Sequence, residues 1–98
     1  MNNPRIVSDA SGQCFDVPDA STTPGRDTQQ VTCHGGANQR FRITPYNDAT
    51  GGLRIQPLHA LAQNLCLGVE GGASSTPRAT ETQVCNGNIA QRWFPVGQ

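Results

Sequence analysis

Cys33-His34-Gly35-Gly36-Ala37-Asn38-Gln39-Arg40-Phe41 and Cys85-Asn86-Gly87-Asn88-Ile89-Ala90-Gln91-Arg92-Trp93 close on the same signature, Gln-Arg-aromatic, with the glutamine six residues after the cysteine. Cys14 stands 19 positions before Cys33, and Cys66 stands 19 positions before Cys85. One shift of 52 residues superimposes both pairs and also matches Val17 with Val69, Arg26 with Arg78, Thr28 with Thr80 and Gly35 with Gly87. Self-similarity at one offset means one supersecondary unit used twice. The units run over about residues 5–47 and 53–98 of a single domain spanning 1–98.

Composition sets the class. Ninety-eight residues suit one small domain. Only 35% are hydrophobic and 5% aromatic, with 11 Gly and 7 Pro, so the core is thin and long helices are not expected. A domain of this size buries roughly 65% of its unfolded surface, which leaves a need for covalent support. The net charge is zero and the seven basic residues are all arginines scattered along the chain. That pattern argues against nucleic acid and anionic membranes as partners. No apolar stretch approaches the ~20 residues of a spanning helix, so no membrane insertion is expected. Met1-Asn2-Asn3-Pro4 lacks a basic n-region and an apolar h-region. The expectation is that a secretory leader has been removed or belongs to a longer parent.

Four cysteines allow three connectivities. Repetition favours Cys14–Cys33 and Cys66–Cys85, because equivalent residues should do equivalent jobs. A bridge closing a loop of this length contributes about 3 kcal/mol in the chain-entropy account. Zinc is the competing reading. No Cys-x-x-Cys occurs, and His34 directly after Cys33 is poorly spaced for two ligands of one metal. Disulfides are therefore favoured, they imply an oxidising, secreted or extracellular location, and neither a metal nor a cofactor is expected.

Each repeat reads as four short strands separated by Gly, Pro, Asn and Ser turns. They are Arg5–Ser8, Gln13–Val17, Thr28–Cys33 and Gln39–Thr44, then Leu53–Pro57, Leu65–Glu70, Thr80–Cys85 and Gln91–Val96. Two longer polar connections, Pro18–Asp27 and Gly71–Ala79, occupy equivalent places. His59–Asn64 reads as a single helical turn or an extended loop.

The Cys-Phe-Asp-Val of residues 14–17, the Gly-rich turns, the second cysteine and the Asn-Gln-x-aromatic end resemble the ricin B-type lectin repeat, the Gln-x-Trp motif of β-trefoils. The resemblance covers nearly the whole chain and implies an all-β, β-trefoil-like fold of two four-stranded repeats, each stapled by its own disulfide. Phe41 and Trp93 would point inward as a hub. The implied function is a carbohydrate-binding lectin module recognising galactose-type glycans through the first repeat. Carried over by position, the contacts are Asp16, Asn38 and Gln39, with Gln29 as a further polar contact. A carboxylate accepts hydroxyl hydrogen bonds, and amides both donate and accept. The stacking ring of the resembling lectins falls at Val31 here, so His34 or Tyr46 would have to substitute. The second repeat reads as inactive: Gly68 replaces the Asp, Ala90 the Asn, and Gln83 stands at the ring position.

Catalysis is not expected. His34 and His59 have no nucleophile motif beside them, and no carboxylate pair stands in a suggestive context. The alternative function is a protein-interaction module: a toxin- or enzyme-docking subunit, or a trefoil-type protease inhibitor using Arg26 or Arg78. A β-trefoil needs three repeats and this chain holds two, so an oligomer or a partner-completed barrel is expected. Unpaired strand edges are otherwise an aggregation hazard.

Overall fold

The computed structural model describes residues 3–70 and 80–94. Six short strands form three antiparallel ladders: β1 (Cys14–Asp16) with β2 (Gln29–Val31), β3 (Phe41–Pro45) with β4 (Leu53–Pro57), and β5 (Leu65–Val69) with β6 (Thr80–Val84). The register repeats under the 52-residue shift. Cys14 opposes Val31 as Cys66 opposes Gln83, and Asp16 opposes Gln29 as Gly68 opposes Glu81. The β3–β4 ladder joins the repeats, with Ile43 opposite Ile55. Among the described residues no helix is long and apolar enough to cross a membrane.

Both disulfides form within their repeats, Cys14–Cys33 and Cys66–Cys85, and no cysteine is free for zinc. Each ties the first strand of its ladder to a residue just beyond the end of the second. Between them sits a small core of Phe41, Ile55 and Leu67, flanked by Ile6, Phe15, Ile43 and Trp93. Phe41 is wholly buried. Trp93 is half-buried, and its indole N–H donates to the Leu67 carbonyl at 3.1 Å. The hub is therefore asymmetric, and an apolar cavity of about 190 Å³ opens between Ile6, Phe15, Ile55, Leu67, Thr80 and Trp93.

Two sequence-based strands are shorter than expected. Arg5–Ser8 keeps a single bridge, Val7 to Cys14, beside a backbone bond from Phe15 N–H to Ile6 O at 2.9 Å. Gln91–Val96 reduces to the bridge of Trp93 with Leu53, closed by backbone bonds of 2.8 and 3.0 Å in both directions; residues 95 and 96 lie outside the described residues. The prolines Pro4 and Pro95 in and beside these segments cannot donate to a ladder. Gln39 and Gln91 do not start strands either. They end equivalent 3₁₀ turns, Ala37–Gln39 and Ile89–Gln91. The stretch around His59 is a 3₁₀ turn over Leu58–Gln63, ended by Asn64 in the left-handed region at φ 56°.

The Pro18–Asp27 connection is not a free loop. Its C-terminal part lies along β6 as an irregular third strand. Gly25 N–H donates to Thr82 O at 2.6 Å, Thr82 N–H to Arg26 O at 2.9 Å, and Thr28 N–H to Thr80 O at 2.8 Å. The fully buried Thr82 hydroxyl completes the seam, accepting from Arg26 N–H at 3.2 Å and donating to Thr23 O at 3.2 Å. This seam clamps one repeat onto the other, and buried backbone groups that would otherwise lack partners are satisfied across it. The equivalent connection Gly71–Ala79, with Arg78, lies outside the described residues.

Candidate functional site

Alternate residues of a strand share a face, so Cys14 and Asp16 sit on one side of β1. The disulfide pins one end of that face, and the carboxylate projects from the other. Asp16 is only 3% exposed, which obliges its oxygens to find donors. Gln29, directly opposite on β2, donates from Nε2 to Oδ1 at 3.1 Å. Gln39 Nε2 donates to Oδ2 at 3.0 Å, and Asn38 Nδ2 to the same oxygen at 3.2 Å. The remaining amide protons are also placed: Asn38 Nδ2 reaches Val17 O at 3.0 Å and Gln39 Nε2 reaches Thr32 O at 3.1 Å. Gln39 Oε1 accepts the N–H groups of His34 and Gly35 at 2.8 and 3.4 Å.

His34 Nε2 stands 3.6 Å from Asp16 Oδ2, and the side chain is 54% exposed. Its Nδ1 accepts the Gly36 N–H at 3.0 Å. The neutral ring therefore carries its proton on Nε2, aimed toward the carboxylate. Gly36 is required for this arrangement, since a Cβ there would come within 2.7 Å of the imidazole Cε1. All five residues singled out from sequence, Asp16, Gln29, His34, Asn38 and Gln39, thus meet around one carboxylate. Val31 offers no ring, as expected. Tyr46 is occupied elsewhere, its ring covered by the guanidinium groups of Arg54 and Arg92 at 4.4 and 4.0 Å from the centroid.

A carboxylate has about four acceptor positions, and three are taken here. One lone pair of Oδ1 is unclaimed, and beside the buried carboxylate stand the exposed His34 ring and the exposed Gln29 amide. That combination can accept one hydroxyl on the carboxylate, exchange hydrogen bonds through an amide, and offer the flat face of an imidazole.

The second repeat builds the same frame and closes it. Gln91 Nε2 donates to Val84 O at 2.9 Å and its Oε1 accepts Asn86 N–H at 2.9 Å, just as Gln39 does. Its other amide proton goes to Gln83 Oε1 at 2.9 Å. Gln83 in turn donates to Val69 O at 3.2 Å and Glu81 Oε2 at 3.0 Å. The Gln83 amide lies over Gly68, so tightly that a Cβ on Gly68 would overlap it. Gln83 therefore occupies the place of the Asp16 carboxylate, a role that its ring position in the sequence does not announce. Asn86 Oδ1 accepts Asn88 N–H at 2.9 Å, repeating the turn-holding task of His34 Nδ1. The arginine of the signature is scaffold in both repeats: Arg40 Nε donates to Gly35 O at 3.4 Å and Arg92 Nε to Gly87 O at 2.9 Å.

Elsewhere, Arg26 is held by Asp19 Oδ2 and Pro18 O at 3.3 and 3.5 Å. It is not presented as a free side chain for a protease pocket. Asp27, Glu70 and Glu81 bring carboxylate oxygens within 4.8 Å of one another, apart from Asp16, with Glu81 already accepting from Gln83.

A family model described as a ricin-type beta-trefoil lectin domain matches residues 3–97. Among solved structures, the chain is similar to one titled as a designed 3-fold symmetric protein, ThreeFoil, with 27% sequence identity and a TM-score of 0.80. The match covers 91% of this chain and 60% of that one, so the chain spans less than two thirds of its neighbour's length.

Proposed function

The chain belongs to the ricin-type β-trefoil lectin family, and from that premise we propose that it is a non-catalytic carbohydrate-binding module that holds a galactose-type glycan at its first repeat. The observation that carries this reading is the convergence of Gln29, Asn38 and Gln39 on the Asp16 carboxylate with His34 exposed beside it. A sugar offers neighbouring hydroxyls and one apolar face. One hydroxyl donates to the remaining lone pair of Asp16, and a second exchanges with the Gln29 amide. The His34 ring takes the apolar face in place of the missing aromatic at Val31. Asn38 and Gln39 act from behind, fixing the carboxylate so that no reorganisation is needed on binding. Disulfides and the lectin fold are in keeping with a secreted protein.

The half-buried Trp93 and the apolar cavity beside it support one more element of the proposal. This face is completed in solution by a further trefoil unit, from a second copy or a partner protein. Light scattering after size-exclusion chromatography tests that element, and a stable monomer with no affinity for itself rejects it. The binding proposal is tested on a glycan array with the wild type and His34→Ala. The expected result is enrichment of terminal galactose-type structures that weakens in the variant. An array with no glycan above background overturns the proposal.

A further inference from the structure

A cleft of about 650 Å³ lies away from Asp16, between the β3–β4 hairpin and the second repeat. In the β3–β4 register Arg42 opposes Gln56 and Thr44 opposes Arg54, so both arginines stand on the face opposite the core residues Ile43 and Ile55. Arg92 enters from the second repeat. Three arginines against the one carboxylate of Asp48 leave 3 − 1 = +2 in the cleft, in a chain whose net charge is zero.

The three are not equivalent. Arg92 is spent: it grips both oxygens of Asp48 at 2.8 Å and donates to the carbonyls of Gly51 and Gly87 at 2.9 Å. Arg42 and Arg54 have only neutral acceptors at long range, Gln56 Oε1 at 3.4 Å and Thr44 Oγ1 at 3.3 Å. Among the described residues neither meets a carboxylate. Arg54 is also held flat against Tyr46, 4.4 Å from the ring centroid, which restrains the guanidinium before any ligand arrives. A restrained guanidinium with unspent parallel N–H donors matches a planar or tetrahedral anion in two-point contact. Beyond the arginines the lining includes three amides, Gln56, Asn64 and Asn86, with Leu61 as an apolar patch. Amides that donate and accept suit hydroxyls. A nucleic-acid strand fits poorly, because single-strand binders stack bases on aromatic faces and the Tyr46 ring already carries two guanidinium groups.

We propose that this cleft is a second binding site, for an acidic saccharide whose sulfate or carboxylate is clasped by Arg42 and Arg54 while its hydroxyls meet Asn64 and Asn86. It shares no residue with the Asp16 site and does not depend on it.

Calorimetric titration with two oligosaccharides of matched length tests this. One carries sulfate on an otherwise neutral backbone and the other carries only uronic acid carboxylates, so the arms separate the two sources of the anion. Binding to either is expected. Arg42→Gln/Arg54→Gln should weaken it by roughly tenfold or more, since each charge-assisted contact is worth more than a neutral one. The same variant should keep its thermal midpoint and its binding of a neutral galactoside. Asp16→Asn should leave the acidic saccharide affinity unchanged while losing the galactoside. Loss of the galactoside site alone would reject only the first-repeat proposal. Unchanged acidic saccharide binding in Arg42→Gln/Arg54→Gln, or abolition by Asp16→Asn, overturns the cleft. Inorganic polyphosphate competing as well as the saccharides would likewise overturn it, because charge alone would then explain the binding.

Discussion

Replacing Asp16 by asparagine separates what the carboxylate does for the fold from what it does for a ligand. The buried Oδ2 accepts from Asn38 and Gln39, and Oδ1 accepts from Gln29. In Asp16→Asn the surviving oxygen keeps the two-donor side, because Asn38 and Gln39 are anchored by Val17 O and Thr32 O. The new NH₂ then faces Gln29, which is exposed and turns its amide to offer its oxygen. All three bonds lose their charge assistance. Bonds to charged groups contribute about 1.5–3 kcal/mol against about 1 for neutral ones, so the loss is about 3 kcal/mol in total. For a domain of this size that lowers the thermal midpoint by roughly 12–24 °C. The fold survives, since both disulfides and the backbone anchors of the amides remain. On the proposed binding mode the remaining lone pair also loses its charge, and galactoside affinity should fall by roughly tenfold or more. Thermal unfolding by circular dichroism and calorimetric titration with a galactoside read the two effects on one sample. A variant that loses stability but binds sugar as the wild type does would show that the carboxylate only holds the hairpin. An unchanged midpoint would refute the hydrogen-bond accounting itself.

Other consequences follow from the same geometry. Transplanting the first-repeat residues as Gly68→Asp/Glu81→Gln/Gln83→Val/Asn86→His/Ala90→Asn should raise the stoichiometry of galactoside binding from one per chain to two, whereas Gly68→Asp alone should unfold more easily because Gln83 already fills that space and Glu81 stands opposite; calorimetry and a melting curve distinguish them. Cys66→Ser/Cys85→Ser should cost about 3 kcal/mol in urea denaturation, from the loop the bridge closes. Asp48 has its folded pKa lowered from 3.8 to about 2 by the Arg92 guanidinium, with help from the Gly51 N–H. A lowered folded pKa gives stability that is complete above the unfolded value and is lost as pH falls through the folded one. The wild type should therefore lose stability from about pH 4 down to about pH 2 relative to Asp48→Asn, with the two melting-point curves converging at the acid end.

The parts of the fold that were legible in the sequence rest on covalent or strictly local chemistry. The paired cysteines, the 52-residue offset and the residues around Asp16 could be read because each is a fixed residue type at a fixed spacing. The terminal strands were overread: Arg5–Ser8 and Gln91–Val96 have strand-like composition, but pairing depends on a neighbour that composition does not supply. The Thr82 seam was invisible for the opposite reason. It joins Thr23 and Arg26 to a residue more than fifty positions away, through backbone groups that every residue carries. The arginine cleft was hidden likewise. Arg42, Arg54 and Arg92 look scattered along the chain and meet only because the hairpin register and the second repeat bring them together.

What the duplication preserves is narrower than a site. In both repeats a buried glutamine, Gln39 or Gln91, accepts the N–H of the residue after the second cysteine and returns one amide proton to the carbonyl of the residue before that cysteine. Its second amide proton is left buried and must find an acceptor, because an unsatisfied donor costs about 1–3 kcal/mol. The fold is indifferent to which acceptor that is. In the first repeat it is Asp16 from the first strand of the ladder, and in the second it is Gln83 from the other strand, reaching over a glycine. A carboxylate settles the donor with one oxygen and keeps acceptor capacity facing outward. A glutamine settles it with its only oxygen, spends its own amide on Val69 and Glu81, and presents nothing. The acceptor role of Asp16 is therefore filled in the second repeat by Gln83, without a carboxylate. On the proposed reading, the fold and the ligand draw on the lone pairs of a single acceptor in the first repeat, so a change at Asp16 moves both.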